Sequence, residues 1–145
     1  MKVIIQRVKE SQVTIENKIQ GEISFGFLLY VCFESEDTIE SLNAAVKKIL
    51  TLRIFEDENG KMNKNIKQVN GEILSISQFT LSWDGRKGNR PSFDKSMSPT
   101  QAQEYYQVFN QELSKTDLKV QTGIFGADMK VQSINDGPVT FSLSF

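Results

Sequence analysis

The sequence predicts a mixed α/β fold: a mixed β-sheet curled toward a barrel, with two helices packed on its outside. Three observations point to it. Short segments of alternating or continuously apolar residues recur along the chain. Two other stretches, near residues 39–50 and 102–113, space their apolar residues at helical period. The resulting order is strands, helix, strands, helix, strands. A length of 145 residues is expected to form one domain over 1–145. Such a chain buries roughly 68–70% of its unfolded surface and needs no covalent staples.

Val3, Ile5 and Val13, Ile15 alternate on either side of Glu10-Ser11, which predicts a hairpin from Lys2 to about Ile19, with Gly21 interrupting the next stretch. Phe25 to Phe33 is apolar throughout apart from Gly26, as in a central strand buried on both faces. Asp37-Thr38-Ile39-Glu40 reads as a capping box opening a helix with Ile39, Leu42, Val46, Ile49 and Leu50 inward. Leu52 to Phe55 returns to extended structure, Glu58-Asn59-Gly60-Lys61 is a turn, and Asn70-Gly71 signals a hairpin.

Glu72 to Leu81 is the next strand. Ser82 to Lys95 has no period and contains Gly85, Gly88 and Pro91, so it reads as a long surface loop of the kind that often serves function. Ser98-Pro99-Thr100-Gln101 combines an N-cap, a proline at the first helical position and Gln three residues on. The helix it opens turns Ala102, Tyr105, Tyr106, Phe109 and Leu113 inward. Strands Leu118–Thr122, Met129–Ile134 and Val139–Phe145 close the chain.

With 17 basic and 18 acidic residues the formal charge is −1, so no global basic field announces a nucleic acid, although a local patch remains open. Acid gathers at Glu34, Glu36, Asp37, Glu40 and at Glu56, Asp57, Glu58; base gathers at Lys61, Lys64, Lys67 and at Arg86, Lys87, Arg90, Lys95. Both patterns suit solvated faces as well as partners. Cys32 is the single cysteine and cannot form an internal disulfide; within Leu28-Leu29-Tyr30-Val31-Cys32-Phe33 it reads as a small buried hydrophobe. No cleavable leader and no apolar run approaching ~20 residues is present, which predicts a cytoplasmic protein with no membrane partner.

The chain contains no histidine. Imidazole chemistry is therefore excluded, and Thr80 in Ser77-Gln78-Phe79-Thr80 lacks an evident base to make it a nucleophile. In a regular strand Gln78 and Thr80 would share one face, and Ser77 and Phe79 the other. That arrangement suits substrate orientation, and equally a polar strand end in solvent. Asn135-Asp136-Gly137-Pro138 has the composition of a tight turn. Arg7 is a charge in an otherwise apolar strand, and Phe125-Gly126-Ala127-Asp128-Met129 suits a bulge or the close approach of a flat group.

Taken together, Ser77-Gln78-Phe79-Thr80, Asn135-Asp136-Gly137-Pro138-Val139-Thr140, Gln6-Arg7-Val8 and Phe125 to Met129 resemble the D-aminoacyl-tRNA deacylases, in the same order and with no obvious insertion from Met1 to Phe145. The strand motif differs from that of the related animal deacylases. The archaeal threonyl-tRNA synthetase editing domain shares the fold but is fused to a larger enzyme.

The resemblance implies hydrolysis of the ester joining a D-amino acid, or glycine, to the tRNA 3′ end, in a homodimer with sites at the subunit interface and with neither metal nor cofactor. It implies a catalytic role for Ser77, Gln78, Phe79 and Thr80. The 2′-hydroxyl of the terminal ribose would activate water, and backbone N–H groups near Phe79 and Thr80 would hold the oxyanion. It further implies a cis Gly137-Pro138 bond whose carbonyls, held by Arg7, exclude L-amino acids from the partner subunit's site. Phe125, Gly126, Ala127 and Met129 would receive the terminal adenine, and Arg86, Lys87 and Arg90 the tRNA phosphates. Two other classes remain open: a noncatalytic nucleic-acid-binding module using the basic loop, and a hydrolase with a Thr80 nucleophile.

Overall fold

The computed structural model describes residues 1–86 and 88–145. Strands β1 (Lys2–Ile15), β2 (Lys18–Ile23) and β3 (Gly26–Cys32) come first, then helix α1 (Ile39–Thr51). A small hairpin of β4 (Phe55–Glu56) and β5 (Met62–Lys64) precedes β6 (Glu72–Ser77), which runs into a 3-10 turn at Phe79–Ser82. Helix α2 (Pro99–Ser114), β7 (Val120–Thr122) and β8 (Lys130–Ser144) complete the chain.

β1 organises the sheet. Along one edge it pairs antiparallel with β3 through residues 2–8 and with β2 through residues 11–15; along the other it pairs with β8. β3 pairs parallel with β6, and β6 parallel with β7. The sheet then curls back on itself: a Cβ placed on Gly21 of β2 would lie 3.3 Å from the Gln121 Cβ and from the Thr122 carbonyl oxygen of β7. The result is the nearly closed, barrel-like mixed sheet that the sequence predicts.

Two apolar layers hold it. Phe27, Leu29 and Val31 on one face of β3 pack with Leu42 and Ile49 of α1 and with Phe109 and Leu113 of α2. Leu28 on the other face joins Val8, Val13, Ile23, Leu74 and Ile76 inside the curl. Alternate β3 residues are therefore buried in opposite directions, which explains its unbroken apolar run.

Several local expectations are corrected. The first hairpin turns at Glu16-Asn17, both at positive φ (48° and 62°), and Glu10-Ser11 lies within one long strand. The strand continues through Glu10-Ser11, despite a register shift between Val8 and Glu10 where Lys9 and Glu10 are both exposed, because Ser11 is paired on both edges, with Ile23 of β2 and Ser133 of β8. The α1 cap is one residue later than expected: Thr38 and Ser41 form the reciprocal capping pair, at 3.3 and 3.2 Å. Asp37 instead accepts from the Glu34 N–H and pairs with the Met1 ammonium, and Ile39 is exposed.

Ser98 does cap α2 with Pro99 behind it, but by backbone alone, without a side-chain bond. Asn70-Gly71 is a turn, with the Gly71 N–H bonded to the Ile66 carbonyl; it makes no hairpin because β5 pairs with β4 and β6 with β3. β6 ends at Ser77 and not at Leu81. The two C-terminal strands are one, β8, which leaves and rejoins β1.

Candidate active site

At the end of β6 the chain stops alternating and folds into the 3-10 turn. Three hydrogen bonds to groups outside the turn hold its geometry: the Val31 carbonyl accepts from Gln78 N–H at 2.8 Å, Cys32 Sγ donates to the Phe79 carbonyl at 3.5 Å, and Lys2 Nζ to the Leu81 carbonyl at 3.1 Å. With the turn so fastened, the N–H groups of Phe79 and Thr80 have no hydrogen-bond partner among the described residues. Gln78 and Thr80 still meet, because the turn brings Gln78 Nε2 to 2.6 Å from Thr80 Oγ1.

Beside this turn lies a cavity of about 680 Å³. Ser77, Gln78 and Phe79 form one side of it, and Phe125, Gly126, Ala127 and Met129 another. Thr80 abuts Gln78 but does not line the cavity. The fold thus brings together two predicted groups that are far apart in sequence. No lining residue among those described carries a formal charge. Cys32 is in its wall, and burial, followed by the nearby Glu34 carboxylate, pushes its thiol up to about 11. That thiol stays protonated at neutral pH and is neither nucleophile nor base there.

The part of the lining formed by Phe125 to Met129 depends on residues that the motifs do not include. Gly123 N–H and the Tyr106 hydroxyl both donate to the Ser75 carbonyl, at 3.0 and 2.7 Å. Tyr106 packs against Phe125 with ring centroids 6.1 Å apart. Met129 Sδ occupies the space that a Cβ at Gly123 would take. Phe93, from the loop after the 3-10 turn, meets Phe79 edge-on at 4.8 Å. Only Gly123, a lone small residue between two strand-like stretches, carried a sequence signal that could have drawn notice.

That loop also carries Arg86 and Arg90, both exposed. The Asp84 carboxylate accepts from Arg86 N–H at 3.1 Å, which together with Lys95 holds it below its ordinary value. Lys87, expected to act with the two arginines, lies outside the described residues.

Arg7, Gly137 and Pro138 do not line the cavity. They form a second constellation. Opposite Arg7, β8 leaves the ladder between the Gln6–Thr140 and Val8–Asn135 pairs, and the Gly137-Pro138 bond in this excursion is cis. Both residues are exposed. Arg7 is only 5% exposed; its Nη1 donates to the Ile54 carbonyl at 2.7 Å, and its Nε donates to the Asp136 carbonyl at 3.3 Å. The planar guanidinium thus ties the excursion to the segment entering β4.

The chain thus combines a curled mixed sheet and two outer helices with a cleft at a strand end whose described lining is uncharged, and with a separate, braced backbone projection. The chain belongs to the D-Tyr-tRNA(Tyr) deacylase family, whose sequence model matches residues 4–144. It is 53% identical over 143 residues to a D-aminoacyl-tRNA deacylase of Lactobacillus gasseri, covering 99% of each chain. Among solved structures, one described as c-Myc DNA Unwinding Element Binding Protein superposes with a TM-score of 0.95 at 41% identity, covering 100% of this chain and 99% of the other. A probable eukaryotic D-amino acid tRNA deacylase superposes with a TM-score of 0.85 at 19% identity, over 98% and 97% of the two chains, and shares the fold.

Proposed function

We propose that this protein hydrolyses the ester bond of D-aminoacyl-tRNA, and of glycyl-tRNA mischarged on tRNA-Ala, releasing the free amino acid and tRNA. The observation that carries this reading is a cleft whose described lining is uncharged and includes Phe79, beside a 3-10 turn whose Phe79 and Thr80 N–H groups have no hydrogen-bond partner among the described residues. An ester carbonyl seated there would develop its negative charge against donors already in place, each worth about 10²–10³ in rate. Family membership supplies the substrate class.

Among the described residues the cleft has no ionised or basic side chain, which suits a route in which the nucleophile is water, activated by the 2′-hydroxyl of the terminal ribose, as the family resemblance implies. Ser77, Gln78, Phe79 and Thr80 orient the ester. Phe125, Gly126, Ala127 and Met129, a mostly small and apolar surface, receive the terminal adenine. Arg86, Lys87 and Arg90 take the phosphates of the tRNA.

Gly137 and Pro138 lie outside the chain's own cleft and are exposed. This favours their acting on the cleft of a second copy, in a homodimer with composite sites. Their carbonyls, braced through Arg7, would clash with an L side chain, and a D substituent or hydrogen would clear them. The biological role is chiral proofreading of translation in the cytoplasm. No helix among the described residues is long and apolar enough to cross a membrane.

A second reading has one observation in its favour, the 41% identical structure described as a DNA unwinding element binding protein. On that reading the basic loop binds nucleic acid without catalysis. Incubating the purified protein with D-tyrosyl-, L-tyrosyl- and glycyl-tRNA separates the two. Deacylation of the D- and glycyl esters with the L ester spared is expected; binding without hydrolysis of any of them would favour the second reading.

A further inference from the structure

We infer that Asn135 is a positioning residue for stereoselection, closing the Asp136–Val139 excursion at its base while the Arg7 side chain holds Asp136; this rests on the deacylase reading above. Gln6 pairs with Thr140 and Val8 with Asn135, so the single residue Arg7 on β1 faces four residues of β8: Asp136, Gly137, Pro138 and Val139. An excursion of this size removes the β8 backbone from the position where it would donate to the Arg7 carbonyl. Pro138 has no N–H to offer. Two main-chain carbonyls, those of Arg7 and Val139, are left at the mouth of the loop.

One side chain serves both. Asn135 Nδ2 donates to the Arg7 carbonyl at 3.0 Å and to the Val139 carbonyl at 3.0 Å. A carboxamide has two N–H donors on one nitrogen, so the two bonds use its full donor capacity. Asn135 is half-buried, and Val139 beyond it is buried at 7% exposure. The residue where the excursion starts is thereby bonded to the residue where it ends and to the strand it departs from.

Arg7 grips the other flank through the Asp136 carbonyl and carboxylate, at 3.3 and 3.1 Å. The loop therefore has two independent fastenings, and the exposed pair Gly137-Pro138 lies between them. Arg7 could not supply the second fastening, since its remaining reach goes to Ile54 and Glu56. Aspartate at 135 would have nearly the same shape but would set a carboxylate against two carbonyl oxygens, so shape and donation can be separated.

The test uses Asn135→Ala and Asn135→Asp in the full chain, with D-tyrosyl- and L-tyrosyl-tRNA made on the same tRNA. The D-to-L rate ratio is expected to fall about tenfold or more in both variants, the effect of losing roughly one net hydrogen bond. A merely destabilised protein would lose both activities in proportion and keep the ratio. Amide hydrogen exchange at 136, 137, 139 and 140 is expected to speed up in both variants with the amides of 141–144 unchanged. An unaltered ratio in folded variants overturns the inference, and so does unaltered exchange if one variant fails to express. A wild-type protein that cleaves neither ester instead overturns the deacylase reading, and with it the link from Asn135 to selectivity.

Discussion

Arg7 and Asp136 meet twice: Arg7 Nε donates to the Asp136 carbonyl oxygen at 3.3 Å and lies 3.1 Å from its carboxylate. The same guanidinium reaches Ile54 and is almost fully buried. A buried cation with this many fixed acceptors is a structural brace, and what it braces is the Gly137-Pro138 projection.

Arg7→Ala is accordingly expected to raise L-aminoacyl-tRNA cleavage while D cleavage falls modestly, lowering the D-to-L ratio by about tenfold or more. Arg7→Lys should do nearly as much, because an ammonium is a point donor that cannot serve Ile54 and Asp136 together. Rates on one tRNA carrying each enantiomer of one amino acid measure this. A ratio unchanged in Arg7→Ala places the gate elsewhere.

Thr80→Ala is expected to keep activity within about a hundredfold. Removing a true nucleophile costs about 10⁶ in rate, but Thr80 lies off the cavity wall and its hydroxyl is engaged by Gln78. A substrate ending in 2′-deoxyadenosine should lose most of its reactivity with the wild-type protein. Rapid quenching that traps an aminoacyl ester on Thr80 would show the mechanism to be covalent.

Composite sites require association. Sedimentation at working concentration is expected to give twice the mass of one chain. Mixing an Arg7→Ala chain with a chain defective in its own cleft should restore the D-to-L rate ratio at the mixed sites, where an intact cleft meets an intact projection from the other chain. A monomer with full activity and full chiral selectivity would count decisively against this arrangement.

Replacing Arg86, Lys87 and Arg90 by alanine should weaken tRNA binding equally for all aminoacyl groups. The slope of log affinity against log salt should drop by roughly 0.7–0.9 for each phosphate no longer neutralised. A slope identical to wild type would return these residues to ordinary solvated surface.

Cys32 makes stability pH-dependent on the alkaline side. Burial first, then Glu34, raises its native thiol from 9.0 to about 11. Above 9.0 the unfolded thiol releases a proton that the native one keeps, so the unfolded state binds fewer protons and stability falls as pH rises toward 11. Burial raises Tyr30 and Tyr106 as well, adding the same trend at higher pH. Urea midpoints across pH 8–11 (about the span of these titrations) should decline less steeply for Cys32→Ala than for wild type. Parallel declines would mean that the thiol is already ionised or accessible in the native state.

Elements whose signal is local could be read directly from the residues. β3 reads as buried because Phe27 to Cys32 is an unbroken apolar run, α2 because Ala102, Tyr106, Phe109 and Leu113 recur at helical spacing, and the β4–β5 turn because Gly60 supplies a positive φ. The residue groups of the site were also legible, as motifs. Tertiary structure decided what those signals leave free. Turning the first hairpin at Glu16-Asn17 was chosen by cross-strand pairing with β2 and β8, which carries one strand through the register shift between Val8 and Glu10. Bringing Phe125, Gly126, Ala127 and Met129 to the same cleft as Ser77 to Phe79 was decided by the parallel pairing of β6 and β7. The separation of Gly137-Pro138 from that cleft comes from the long antiparallel register of β8 on β1. Periodicity reports which face of an element is apolar; only the packed sheet sets which elements become neighbours, because that depends on contacts between residues far apart in the chain.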